Sequence, residues 1–281
     1  MDHKTRILFI KKIFFLLVLL IANQLYASDY PFENIQWITT LSENYLFSNG
    51  IYLESTCDIN ENWTELRGFY KIYEENTYVV AEITFENYIS KYYLFFADDK
   101  HLIIFDNHRK KQIECTNSKY HIDEPWIWPI SQCTASSFLI EQLNSGTVEY
   151  KPENLTDRDV TKNWVEGTHG NGIGETLLIK NDLIPTKQFY IINGFFYPEK
   201  TSLYYLNGRV KKLSIQCLDS NYNIKNEFEL NLEDSGNLQK IQVNGKYSFL
   251  RFTILDVYPG QRYQDTAISS VFIDGLSTIE K

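Results

Sequence analysis

The strongest constraint on what this chain can become is a period-two alternation of apolar and polar residues. Leu250, Phe252 and Ile254 alternate with Arg251 and Thr253, and Phe228, Leu230 and Leu232 alternate with Glu229 and Asn231. Successive side chains of a strand point to opposite faces, so such a pattern buries one face and wets the other, whereas a helix would scatter these residues around its axis. The same signature recurs in short segments along the chain, at 50–55, 65–73, 78–85, 91–97, 102–106 and 112–115, and again at 175–180, 187–193, 209–218, 226–232, 240–243, 249–258 and 267–275. Turn-rich clusters such as Glu74-Glu75-Asn76, Asp98-Asp99-Lys100 and Asn107-His108-Arg109 separate the first six, which is the spacing of an antiparallel meander. An all-β fold follows.

Two blocks of strands are separated by residues 118–132, where Pro125, Trp126, Trp128 and Pro129 interrupt any regular element. The expected organisation is a small antiparallel β domain over 28–125, as a sheet or open barrel, and a larger one over 126–281. With a strand near Trp164 the second block holds about eight strands and no strong helical stretch, which points to a two-sheet sandwich of jelly-roll type. The lead-in from Asp29 to Ser48 has no clear period. Aromatic residues make up 15% of the chain, and those of the first block are read as core and cross-strand packing. His101, His108 and His121 show no metal-ligand spacing and are read as surface residues.

The first 27 residues have the form of a secretory signal: Lys4, Arg6, Lys11 and Lys12, then the unbroken apolar run Ile13–Ala22, then small residues at Ala27 and Ser28, although Leu25 is not an ideal residue before a cleavage point. Export to the periplasm or beyond is expected, with no stable membrane insertion after cleavage. Removing 1–27 takes away a net charge of +3, so the chain's formal -9 becomes -12. An acidic chain without a basic cluster is poorly matched to nucleic acid or to anionic headgroups, both of which require Lys and Arg against phosphate. Four cysteines in an exported chain permit three pairings. If each domain closes its own bridge, Cys57 joins Cys115 and Cys133 joins Cys217; the alternative is buried free thiols. There is no C-x-x-C, so a thiol zinc site has no support.

The stretch Asn154–Gly174 carries the densest set of polar and glycine signals. Gly170-Asn171-Gly172-Ile173-Gly174 lacks G-x-G-x-x-G spacing and precedes a strand, so a phosphate loop is not expected. Asp157, Asp159 and Thr161 place oxygens at alternate positions, which fits either calcium ligands on a loop or Asx-turns capping the backbone; the twelfth position from Asp157 is Thr168, so this is no EF-hand. The chain has no G-x-S-x-G and no H-E-x-x-H, His169 stands alone among glycines, and Glu166 with Asp256 has no spacing argument as a hydrolytic couple.

Read together, Asn154-Leu155-Thr156-Asp157-Arg158-Asp159-Val160-Thr161, Trp164-Val165-Glu166-Gly167, Gly172-Ile173-Gly174-Glu175, Ile192-Asn193-Gly194-Phe195, Asn207-Gly208-Arg209-Val210-Lys211 and Leu255-Asp256-Val257-Tyr258-Pro259-Gly260 resemble the NADase-type glycan-binding domain. This is a branch of the discoidin-like, galactose-binding jelly rolls, named after the non-catalytic translocation domain of a bacterial NAD glycohydrolase toxin. The resemblance covers roughly 126–276 and nothing before it. It implies recognition of a glycan, on a cell wall or host surface, and does not imply NADase activity. It also implies structural calcium at Asp157, Asp159 and Thr161 with a glutamate near the final strand, where this chain has Ser270. Sugars bind through hydrogen bonds to hydroxyls and aromatic faces, in shallow pockets on loops at one end of a sandwich. Glu166, His169, Asn193, Tyr197, Asn207, Arg209, Asp256 and Tyr258 are the candidate ligand residues, with Trp164 expected in the core.

Overall fold

The computed structural model describes residues 35–41, 43–57, 62–120, 125–180, 188–243, 245 and 247–275. The secretory signal expected over 1–27 and His121 lie outside the described residues. Strands β1 (Gln36–Ile38), β2 (Asn44–Ser48), β3 (Ile51–Cys57), β4 (Trp63–Glu75), β5 (Tyr78–Thr84), β6 (Ile89–Phe96), β7 (His101–Asp106) and β8 (Lys111–Asn117) pair in sequence order. They close, where an open barrel or small sheet was expected, because β1 pairs with both β2 and β8, at Trp37↔Tyr45 and Trp37↔Asn117. The aperiodic lead-in thus supplies the closing strands. Two-residue hairpins set the register at Asn49-Gly50 (φ 50° and 75°) and Asn76-Thr77 (φ 57° and 98°), the positive-φ pairs that match strand twist. Trp37, Tyr45, Tyr52, Tyr92, Leu94, Leu102 and Ile104 fill the interior.

The second unit contains β9 (Ile127–Pro129), β10 (Gln132–Ala135), the hairpin β11 (Ile140–Leu143) and β12 (Gly146–Glu149), then β13 (Trp164–Val165), β14 (Thr176–Lys180), β15 (Gln188–Asn193), helix α1 (Leu203–Leu206), β16 (Gly208–Leu218), β17 (Ile224–Asn231), β18 (Leu238–Gln242), β19 (Phe249–Tyr258) and β20 (Thr266–Asp274). One layer runs β10-β14-β19-β16 with β17 at its edge; the other sets β9, β13 and β15 around β20, with β18 outside β15. A short parallel contact, Gly208↔Thr266 and Arg209↔Ala267, joins the layers at one end. Between them lie Trp164, Leu177, Phe189, Ile191, Leu213, Ile215, Phe252, Ile254, Ile268 and Val271. The solvent-facing layer alternates as read from sequence, β14 and β17 having one wet face each.

β20, by contrast, is buried at every position, and β15 at all but its first. The barrel is the reason. Tyr78 and Val80 of β5, Tyr93 and Phe95 of β6, and Ile103 and Phe105 of β7 point out of the barrel and pack on Tyr190, Ile192, Phe196, Leu238 and Phe272 of the sandwich as one apolar cluster. His101 belongs to this interface: it is buried, not on the surface as expected, with its ring 4.9 Å from Trp126 and its Nδ1 2.8 Å from Asp98.

Neither of the conditional disulfides forms among the described residues, where the free-thiol alternative holds, and the sheet explains one of them. Cys133, Ile179, Leu250 and Cys217 lie in one row across β10, β14, β19 and β16, so the two sulfurs are three strand spacings, about 14 Å, apart. Cys115, on β8, is separated from the Cys57 strand by β1 and β2. Cys115, Cys133 and Cys217 are buried free thiols.

Candidate functional site

Most of the candidate ligand residues converge on the end of the sandwich where the two layers meet. Arg209, the second residue of β16, is its hub. Its guanidinium donates from Nε to Asp234 Oδ1 (3.0 Å), from Nη2 to Asp234 Oδ2 (2.7 Å), and from Nη1 to the carbonyls of Asn207 (3.0 Å) and Pro259 (2.9 Å). It lies 5.3–5.9 Å from the ring centroids of Tyr204, Tyr205 and Tyr258. With 6% of its side chain exposed, Arg209 ties together the segments after α1, before β18 and after β19. Asp234 sits in a turn far away in sequence, and nothing local marked it.

Neighbouring polar side chains are used in the same way. Asn193 is buried, donating to the Val210 carbonyl (2.7 Å) and accepting from its amide (3.0 Å). Asn207 donates to the Leu203 carbonyl, closing α1. Gly194 adopts φ 81°, and a Cβ there would stand 2.6 Å from the Tyr204 ring, so the turn after Asn193 requires glycine. Tyr258 donates to the Leu232 carbonyl (3.0 Å), and the more exposed Asp256 pairs with Lys211 at 2.7 Å, an ion pair that holds its carboxyl below the usual range. Glu166 is fully buried and accepts from the amide and hydroxyl of Thr168 (2.8 Å each) and from the Thr266 amide (3.2 Å). Burial pushes its carboxyl up, against the pull of these donors. A Cβ on Gly172, at φ 72°, would come within 2.5 Å of Glu166 Cγ, which accounts for one glycine of the 170–174 run. His169 is exposed at the tip. The sequence reading assigned no role to Asn163 or Ser269: Ser269 Oγ bonds Asn163 Oδ1 (2.8 Å) and the Gly194 carbonyl (2.7 Å), while the Phe196 amide donates to both side chains.

The loop expected to hold calcium is organised as turns. Asp157 Oδ1 accepts the Asp159 amide (3.2 Å) and Oδ2 pairs with Lys162; Asp159 Oδ1 accepts the amide (2.9 Å) and hydroxyl (2.7 Å) of Thr161. An ammonium occupies the first carboxylate, and among the described residues no three His, Cys, Asp or Glu side chains gather as a metal site. Ser270, at the expected glutamate position, is buried, and among the described residues its Oγ has no hydrogen-bond partner. This donor set does not fit a calcium cage.

Tyr197 lies apart from the Arg209 hub, on a loop that the barrel grips along its length. Tyr78 donates to the Phe195 carbonyl (3.4 Å), Tyr93 to the Pro198 carbonyl (2.8 Å), Lys110 to Glu199, and Thr201 bridges Asn76 (2.9 Å) and Glu75 (2.7 Å). The 158–160 segment is held likewise: Arg158 pairs with Glu114, and the Val160 amide donates to Gln112 Oε1 at 3.0 Å. Tyr197 itself remains 43% exposed.

A nucleophile is not evident among the thiols. Burial pushes Cys133 up to about 12 and Cys217 up to about 11, and Cys115 well above its ordinary value, so none is a thiolate near neutrality.

Residues 129–274 match the family model of the NAD glycohydrolase translocation F5/8 type C domain. The chain belongs to this family. Its F5/8 type C domain therefore spans β9 to β20, and the barrel precedes it. Among solved structures it is similar to a CBM32 module from Clostridium perfringens in complex with GalNAc-β-1,3-galactose, at 15% identity and a TM-score of 0.39, over 50% of this chain and 93% of that one. It is also similar to the family 32 CBM of C. perfringens NanJ in complex with galactose, at 12% identity and a TM-score of 0.39, over 52% of this chain and 96% of that one. No curated protein matches.

Proposed function

We propose that the protein is an exported, non-catalytic glycan-binding protein, whose F5/8 type C domain recognises sugars on a cell wall or host surface. The observation that carries this reading is the family match over 129–274, which agrees with the linked motifs of the sequence. Chemistry at the loop end is consistent with it. Glu166, Asn193, Asn207 and Arg209 hold the loops in place, leaving His169 and the edges of Tyr258 and Asp256 facing solvent there, and Tyr197 facing it beside the barrel, as polar and aromatic groups suited to hydroxylated rings. A glycan array probed with the mature full-length chain tests the proposal. Binding to a defined set of sugars is expected; a blank array from a folded sample would reject it.

A second reading, a protein-interaction module of the envelope, is favoured by the β11–β12 hairpin, where Phe138, Ile140 and Leu143 are 37%, 51% and 48% exposed. Capture of a partner from envelope extract that survives competing sugars, and is lost on Ile140→Ser with Leu143→Ser, would favour it.

A further inference from the structure

At the seam between barrel and sandwich lies a chamber of about 190 Å³, lined by Phe105 and Lys110 of the barrel and by Asp159, Thr161, Tyr197 and Glu199 of the sandwich. It shares Phe105, Lys110 and Asp159 with a larger open cleft of about 470 Å³. We propose that this chamber is a saccharide site built by both units, taking a neutral pyranose ring of a glycan. The inference rests on the glycan-binding reading above and places the ring.

The lining selects the ligand class. Every base around the two connected spaces is paired with an acid: Lys110 with Glu199, Lys111 with Glu43, and Arg158 with Glu114. No positive charge is left over for an anion. Asp159 is the acid left without a base in the lining; its Oδ1 holds Thr161, and among the described residues its Oδ2 meets no donor. A carboxylate lining a small chamber that a half-exposed tyrosine also lines offers an acceptor for a sugar hydroxyl and a surface for the C–H face of the ring.

The walls are also fixed before any ligand arrives. Both sandwich segments that face the chamber are held by the barrel, 158–160 through Glu114 and Gln112, and 195–201 through Tyr78, Tyr93, Lys110 and Glu75. Lys110, at φ 53°, and Thr77, at φ 98°, occupy left-handed backbone on the two barrel turns that make these contacts. Thr77 receives the Gly236 amide at 3.2 Å. Such backbone persists where surrounding contacts over-determine it, and a preformed site loses less freedom on binding. The barrel thereby acquires a role: it orients the ring-bearing loop.

The test is one glycan array printed with neutral and anionic saccharides and probed with the full chain and three variants, each checked for folding by its thermal melt. Tyr197→Ala removes the stacking surface, Asp159→Asn keeps the Thr161 acceptor but removes the charge, and Tyr93→Phe deletes only the hydroxyl that positions Pro198. Wild type is expected to bind neutral sugars. Tyr197→Ala and Asp159→Asn should weaken binding at least about fivefold, and Tyr93→Phe severalfold with little change in melting temperature. Wild-type signal retained by folded Tyr197→Ala and Asp159→Asn overturns the seam site while glycan binding stands. A blank wild-type array overturns both.

Discussion

Arg209→Ala separates a loop-holding role from a ligand-contacting one. The substitution leaves the carbonyls of Asn207 and Pro259 each short of a donor and leaves the Asp234 carboxylate without its bidentate partner. Losing the donor to the buried Asn207 carbonyl costs about 1–3 kcal/mol, whereas the carbonyl of exposed Pro259 is rehydrated at little cost. Asp234, with 33% of its side chain exposed, is rehydrated, so its share is discounted to about 1 kcal/mol. Together these give about 2–4 kcal/mol, overlapping the range for breaking a buried ion pair. At about 2–4 °C per kcal/mol for a domain of this size, the melting temperature should fall by about 4–16 °C. Urea titration followed by tryptophan fluorescence measures the loss directly, with Asp234→Ala as control. That variant strands Arg209, 6% exposed, without its carboxylate and should cost at least as much. A loss under about 1 kcal/mol in both variants, accompanied by loss of glycan binding, would refute the reasoning and return Arg209 to the ligand.

Three further outcomes are expected. Because folding raises the Glu166 carboxyl above its ordinary 4.5, its contribution to stability is fully present below that value and fades as pH rises through the higher folded value. Glu166→Gln should flatten that part of the stability curve in urea midpoints taken between about pH 4 and 8; an unchanged slope would contradict the assignment. Ellman titration of the native protein should leave Cys115, Cys133 and Cys217 unreacted, while mass spectrometry of the denatured, alkylated chain finds all three as thiols; a Cys133–Cys217 peptide would contradict the sheet register. Residues 126–281 expressed alone would bare Tyr190, Ile192, Phe196 and Phe272, so gel filtration should show self-association absent from the full chain. A monodisperse, equally stable fragment would argue against the shared interface.

The alternation that announced the strands was also legible as a fold class, since 249–258 reads as one wet-faced strand and Phe249–Tyr258 is one. What the alternation could not reveal was where two covered faces meet. Tyr92-Tyr93-Leu94-Phe95 breaks the period because Tyr92 and Leu94 enter the barrel while Tyr93 and Phe95 enter the seam. Both destinations bury an aromatic, and a single strand read alone does not tell them apart. β1 and β2 were missed because short closing strands depend on pairing partners at both edges rather than on their own pattern. At the candidate site, residue types such as Asn193, Arg209 and Glu166 were picked out by motif, but their partners Val210, Asp234 and Thr266 are set by tertiary structure. A buried arginine and a solvent-facing one look the same in sequence until the acid that meets it is known.

The grip of β5, β6 and β7 on the sandwich has a consequence for anyone diversifying this protein by random mutagenesis. The outer positions of those strands, Tyr78, Val80, Tyr93, Phe95, Ile103 and Phe105, look like tolerant barrel surface in a diagram of the barrel alone, yet they are interior to the molecule. Libraries meant to vary the barrel without disturbing the sandwich should be confined to the outward faces of β2, β3 and β4, where Ser48, Ile51, Arg67 and Lys71 lie outside that packed cluster. A change at Tyr93 edits both units at once.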